Sequence, residues 1–138
     1  MLRDQVNELY LEKDYNCAET TLRSIDAVYH LGLTEEEFKL VSGFGAGMGC
    51  GHACGALCGG IAALGKLFVD KRAHNTPGFG DLCKAYVEAF RENLGDTMCD
   101  ALKAKYKRGD VRCLETVQRA CDTFETYYAS ICEKKAED

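Results

Sequence analysis

Nine cysteines are spread through the 138 residues, and four of them stand where the sequence pattern starts a helix. Asn16 is a good N-cap for a helix opening at Cys17, and Glu19, three residues on, completes a capping-box pattern. Cys54 follows the glycine-dense run 43–51 and opens a segment rich in Ala, Gly and Leu. Asp96 is placed to cap a helix with Cys99 at its third position, and Asp110 is placed to do the same for Cys113. Helix N-termini expose unpaired N–H groups and a partial positive charge. That field favours thiolate over thiol, and Cys17, directly after its cap, is expected to feel it most. Four thiols with one shared electrostatic bias point to redox chemistry or to binding of a soft metal. Taken singly, each also fits the plainer role of a small hydrophobe in a core.

The spacing excludes several familiar sites. There is no C-x-x-C in the chain, so it carries no thioredoxin motif, zinc ribbon or C-x-x-C-H haem attachment. The ferredoxin run C-x₂-C-x₂-C is absent too. A four-thiolate site must therefore be assembled from distant segments and depends on the whole fold. Cys50, Cys54 and Cys58 are four apart, but the glycines around Cys50 argue against a helix reaching back that far. Cys58 reads as a packed small residue, with a fifth ligand or a resolving thiol as alternatives. Cys83, Cys121 and Cys132 fall on helix bodies and read as structural. His52, close to Cys54, is a candidate ligand or proton donor, whereas His30 and His74 read as surface residues.

Composition narrows the class. The length fits one domain, residues 1–138, and exceeds the roughly 60 residues that can fold alone. Apolar residues make up 46% of the chain, which opposes disorder. Net charge is −5, from 17 basic and 22 acidic residues, and no basic stretch suits nucleic acid. The first residues, Met1 to Gln5, lack the apolar core of a signal peptide. No apolar run is long enough for a membrane span, and 61–69 is interrupted by Gly65 and Lys66. A cytoplasmic protein with reduced thiols is the expectation. An odd count of nine cysteines also fits poorly with a closed set of disulfides.

The elements that must position these thiols read as helices throughout. Pro77 is the only proline, and strand-like alternation is scarce. The pattern predicts a helix from about Leu2 to Lys13 and a break at Asp14-Tyr15. A second helix follows from Cys17 and ends near Gly32. Thr34 with Glu37 predicts a short helix over 35–41. The alternating glycines of 43–51 predict either a loop wrapping a cofactor or a tight crossing of helices. A buried helix is expected over 53–69, with Gly55, Ala56, Gly59, Ala62 and Ala63 letting another helix, or a second subunit, come close. Further helices are expected over 81–93, 97–105 and 111–132, with Gly95 ending the first of these. The fold class is all-α, an irregular single-domain bundle.

Asn16-Cys17-Ala18, the glycine-rich loop, Cys54-Gly55-Ala56-Leu57-Cys58-Gly59 and the single cysteines Cys99 and Cys113 together resemble the C_GCAxxG_C_C family of redox-active proteins. The C-G-A-x-x-G segment matches fully, and the resemblance spans about residues 5–125. It implies a redox role for Cys17, Cys54, Cys99 and Cys113. A related domain stands beside haem segments in split-Soret-type cytochromes with an iron–sulfur cluster, so the resemblance also implies a cluster here. Cys121, eight residues after Cys113, is the competitor for the fourth position. Zinc, a metal-free thiol–disulfide switch and a non-redox interaction module are the alternatives. No acid–base pair names a reaction, no substrate or redox partner is legible, and a homodimer stays open.

Overall fold

The structure, a computed structural model, describes residues 1–137. It is all-α, and no strand occurs among the described residues beyond two isolated bridges. The chain opens with a tight 3₁₀ turn at Leu2–Gln5 and a wider π-helical stretch at Asn7–Glu12. The expected first helix is thus present but irregular. Its apolar residues Leu2, Val6 and Tyr10 recur every four positions, and all three are buried. Asp14 then takes a left-handed φ of 59° and turns the chain.

Helix α1 (Cys17–Tyr29) begins at the Asn16 cap. The Asn16 side chain accepts from the Glu19 amide at 3.0 Å, and Glu19 accepts from the Asn16 amide at 3.1 Å. Thr34 and Glu37 repeat this reciprocal arrangement for the one-turn helix α2 (Glu35–Phe38), which continues as a 3₁₀ stretch over Lys39–Phe44. The Arg23 guanidinium lies 4.0 Å from the Tyr15 ring centroid and 4.2 Å from that of Phe38, and it pairs with Glu35. This stack fastens the break before α1 to the short helix that follows it.

Helix α3 (Gly55–Phe68) lies closest to α1. A Cβ at Gly59 would come 2.7 Å from the Ala18 carbonyl oxygen, and one at Gly55 would come 2.6 Å from the Cys17 sulfur. The small-residue face therefore serves contact within the chain, against α1. Gly60 makes room on another side for the Tyr86 hydroxyl. Tyr86 belongs to α4 (Phe79–Leu94), which ends at Gly95 with φ 98°. Helix α5 (Cys99–Tyr106) is short, and α6 (Leu114–Glu137) is the longest. Tyr86, Phe90 and Phe124 are fully buried where α4 meets α6, with Ile25 of α1 and Leu64 of α3 in the same core. Tyr86 and Phe124 meet edge-on at 5.7 Å.

Two glycines of α3 should respond oppositely to substitution. Gly59→Leu should overpack the α1 contact and cost about 1–3 kcal/mol. Gly65 faces open space and has no left-handed φ, so Gly65→Ala should stabilise by about 0.4–1 kcal/mol. Urea melts of the two variants would check both signs. A neutral Gly59→Leu would mean that α1 and α3 are not in contact.

Candidate functional site

The four helix starts meet around one cavity of about 220 Å³. Cys17, Cys54, Cys99 and Cys113 all line it. Each stands within one position of where its helix begins. Cys17 and Cys99 are the first residues of α1 and α5. Cys54 caps α3. Cys113 immediately precedes α6, and its carbonyl accepts from the Val117 amide at 3.1 Å.

A short antiparallel pairing brings two of these starts together. The Cys54 amide donates to the Thr97 carbonyl at 2.8 Å, and the Cys99 amide donates to the His52 carbonyl at 2.6 Å. This pairing also corrects the expected placement of Cys99. The Asp96 carboxylate accepts from the Thr97 and Met98 amides and shapes the turn before the helix. Because the Cys99 amide is bonded across to His52, α5 starts at Cys99 and not two residues earlier.

Asp110 does not cap α6. Residues Gly109–Val111 form a single 3₁₀ turn, and Arg112 reverses the chain at φ 53°, ψ −123°. The helix starts at Leu114, later than the expected 111. The Cys113 amide is satisfied by the Tyr10 hydroxyl at 3.2 Å, across 103 residues of sequence.

Glycine provides the clearance around the sulfurs. Gly55 yields space to Cys17, and a Cβ at Gly47 would come 2.6 Å from that of Cys99. The 43–51 segment is a loop and not a continuous helix. Ala46, Gly47, Met48, Gly49 and Gly51 all have positive φ, and Ala46 lines the cavity. Left-handed backbone at Ala46 and Met48, which are not glycine, is a local strain of order 1–3 kcal/mol each.

The remaining wall is cationic. Lys103, Lys107 and Arg112 line the cavity, and no carboxylate does so among the described residues. Arg112 is held in place by the Tyr10 carbonyl at 3.1 Å, by the Tyr10 ring at 4.5 Å and by Asp14 at 3.6 Å. Thr116 also lines the cavity. It is 3% exposed, and its hydroxyl has no hydrogen-bond partner among the described residues. Such an orphan typically costs about 1–3 kcal/mol, and a polar occupant of the cavity would relieve it.

Burial decides the protonation of these thiols. The Cys54 thiol is pushed up to about 12, first by burial and then by the nearby Cys17, with the Leu57 and Ala56 amides opposing. Burial also raises Cys99 and Cys113, and Lys103 pulls both down. At these three positions the expected bias toward thiolate is outweighed: the helix amides act in the anticipated direction at Cys54, but desolvation and neighbouring sulfur exceed them. Cys17 lies near the other three, each of which negative charge on its sulfur would raise further. Tyr10, rising to about 12 through burial, completes the cluster of titratable groups.

The other cysteines stand apart from the cavity lining. Cys50 is exposed in the glycine loop, its thiol 3.5 Å from the Gly47 carbonyl. Cys58 is half-buried one turn into α3 and still feels Cys17. Cys121 is buried in the core, Cys83 is half-buried and Cys132 is exposed. All nine are free thiols. His52 contributes its backbone carbonyl, and its side chain is exposed, as are His30 and His74.

Sequence reasoning missed the cationic wall, although a signal for it exists. Lys103 lies four residues after Cys99, on its helical face, Lys107 follows the end of the same helix, and Thr116 lies three after Cys113. Tyr10 has no local signal, because only the fold brings it to Cys113.

The family model for C_GCAxxG_C_C, described as "Putative redox-active protein", matches residues 15–127. The chain belongs to this family. Comparison with curated proteins and with solved structures gives no match. The matched span contains all four cavity cysteines and excludes Tyr10.

The donor set suits one kind of group better than another. A single zinc ion needs its sulfurs about 2.3 Å from one point. No three Cys, His, Asp or Glu side chains are grouped that closely among the described residues. Four thiols and three cationic side chains share the lining of the wider cavity.

The raised thiols fix a pH dependence for the reduced, metal-free protein. Cys54 and Cys121 move from 9.0 to about 12 on folding, so between these values the folded chain holds more protons than the unfolded one. The contribution of these thiols to stability should be level below about pH 8.5 and should be lost as pH rises toward 11. Denaturant melts across this range would check it, and a stability that rises above pH 9 would contradict the buried, protonated thiols.

Proposed function

We propose that this member of a redox-active family is a small electron-transfer protein whose Cys17, Cys54, Cys99 and Cys113 hold an iron–sulfur cluster. The observation that carries the reading is the convergence of these four thiols, from four helix starts, on one cavity walled by cations. Thiolates are the usual ligands of such clusters, and a bound cluster would supply one-electron chemistry. Ligation requires the thiols to lose their protons, and metal cations provide the charge that makes this favourable in a buried place.

The chain's other residues have definite parts in this reading. Lys103, Lys107 and Arg112 offset the negative charge of four thiolates. Leu102, buried, gives one side of the cavity an apolar wall. The Tyr10 hydroxyl fixes the backbone of Cys113. Helix amides and cations near the sulfurs favour the more negative, reduced state and so raise the potential.

A thiol–disulfide switch is the second reading. It is favoured by the nine free thiols and by the position of Cys17 among the other cavity sulfurs. In that case two thiols would give two electrons and two protons to an oxidant such as oxidised glutathione and form one disulfide.

Protein purified without oxygen should be coloured and should carry iron with acid-labile sulfide. Cys54→Ala and Cys113→Ala should lose colour, iron and sulfide together, whereas Cys83→Ala, Cys121→Ala and Cys132→Ala should keep them. A colourless preparation with one tightly bound zinc per chain would overturn the cluster. A metal-free preparation with one reversible disulfide would favour the switch.

A further inference from the structure

We infer that Thr116 is a positioning residue that sets the reduction potential of the cavity's metal–sulfur group, by donating its hydroxyl hydrogen to one of the group's sulfurs. The inference rests on the cluster reading of the cavity. Its basis is an anomaly in the hydrogen bonding. The other three buried threonines all donate to a carbonyl of an earlier residue: Thr20 to Tyr15 at 3.3 Å, Thr21 to Cys17 at 2.8 Å and Thr123 to Arg119 at 2.8 Å. Thr116, 3% exposed, donates to nothing among the described residues.

The cause lies in the turn before α6. A threonine in a helix commonly bonds back to the carbonyl four residues earlier. For Thr116 that carbonyl belongs to Arg112, which is outside the helix at φ 53°, ψ −123°. The Arg112 carbonyl instead accepts from the Arg108 amide at 3.0 Å. The carbonyl of Cys113 is committed to the Val117 amide. The same reversal that delivers Cys113 to the cavity thus strips Thr116, a residue of the cavity lining, of its backbone partner and leaves its buried hydroxyl unpaired among the described residues.

Two other side chains of the wall are already engaged. Asn16 donates to Ser42 and accepts from Glu19, and Arg112 is tied to Tyr10 and Asp14. The Thr116 hydroxyl is free to rotate toward an acceptor in the cavity. Sulfur in a metal–sulfur group carries more negative charge after the group takes up an electron. A hydrogen bond to that sulfur is therefore stronger in the reduced state, and it raises the potential.

Thr116→Val keeps the side-chain shape and removes the donor, and Thr116→Ser restores the donor. Potentiometric titration of the anaerobic holoprotein, with dithionite as reductant and ferricyanide as oxidant, reads the effect. At a fixed solution potential Thr116→Val should lower the reduced-to-oxidised ratio about tenfold, or about 59 mV for a one-electron couple. Thr116→Ser should return it to the wild-type value. The metal-free Thr116→Val protein should melt no lower than wild type, because the hydroxyl holds no internal bond to lose.

An unchanged potential in Thr116→Val, with normal iron and sulfide, would overturn the inference and leave the cluster reading intact. Wild-type protein without iron and sulfide would end the cluster reading and this inference with it. A Thr116→Val protein that folds but takes up no cluster would support a contact to the bound group if Thr116→Ser recovers uptake, and would overturn the inference if it does not.

Discussion

Two backbone hydrogen bonds, between Cys54 and Thr97 and between Cys99 and His52, govern the arrangement of the cavity. They tie the start of α3 to the start of α5 and allow neither helix to begin earlier. With those two starts fixed, the other two are placed by packing. Helix α1 comes close enough to α3 to bring Cys17 against Gly55. The N-terminal segment then presents Tyr10 to the amide of Cys113. Each sulfur is held by backbone geometry at its helix start, and no side-chain bonds between the cysteines are needed.

Much of this was legible in the sequence where the governing interactions are local. The capping boxes at Asn16 and Thr34 are four-residue patterns, and both form as written. The Leu114, Val117, Cys121, Phe124 and Tyr128 stripe has helical period and lies along α6, against the core. The thiols at 17, 54, 99 and 113 could be grouped because each followed a start signal, and they do share a cavity. The signals failed where a distant segment competed for the same backbone groups. Asp96 was read as a cap, but the Cys99 amide had a partner at His52. Asp110 was read as a cap, but the chain needed a reversal at Arg112 first. The cationic wall is invisible in the net charge of the whole chain, which is acidic.

The cavity combines two tendencies that oppose each other until it is filled. Burial keeps Cys54, Cys99 and Cys113 protonated, while helix amides at Cys54 and Lys103 near Cys99 and Cys113 prepare for their ionised forms. An apolar pocket would need no lysines, and a pocket built to hold bare thiolates would not bury them so deeply. The orphan hydroxyl of Thr116 belongs to the same pattern, since it is a buried donor without an acceptor among the described residues. Burial, cationic side chains and an unpartnered hydroxyl thus meet around one cavity.

The placement of every cavity cysteine within one residue of a helix start has a consequence for motion. Helix ends open more readily than helix middles, and such local openings need only a fraction of the free energy of global unfolding. The aromatic centre at Tyr86, Phe90 and Phe124 lies in the bodies of α4 and α6, away from these ends. Fraying of one first turn can thus swing a single sulfur outward while the core stays closed. Opening of the cavity wall is then governed by the helix termini, with the starts of α3 and α5 tied to each other, and not by the stability of the protein as a whole.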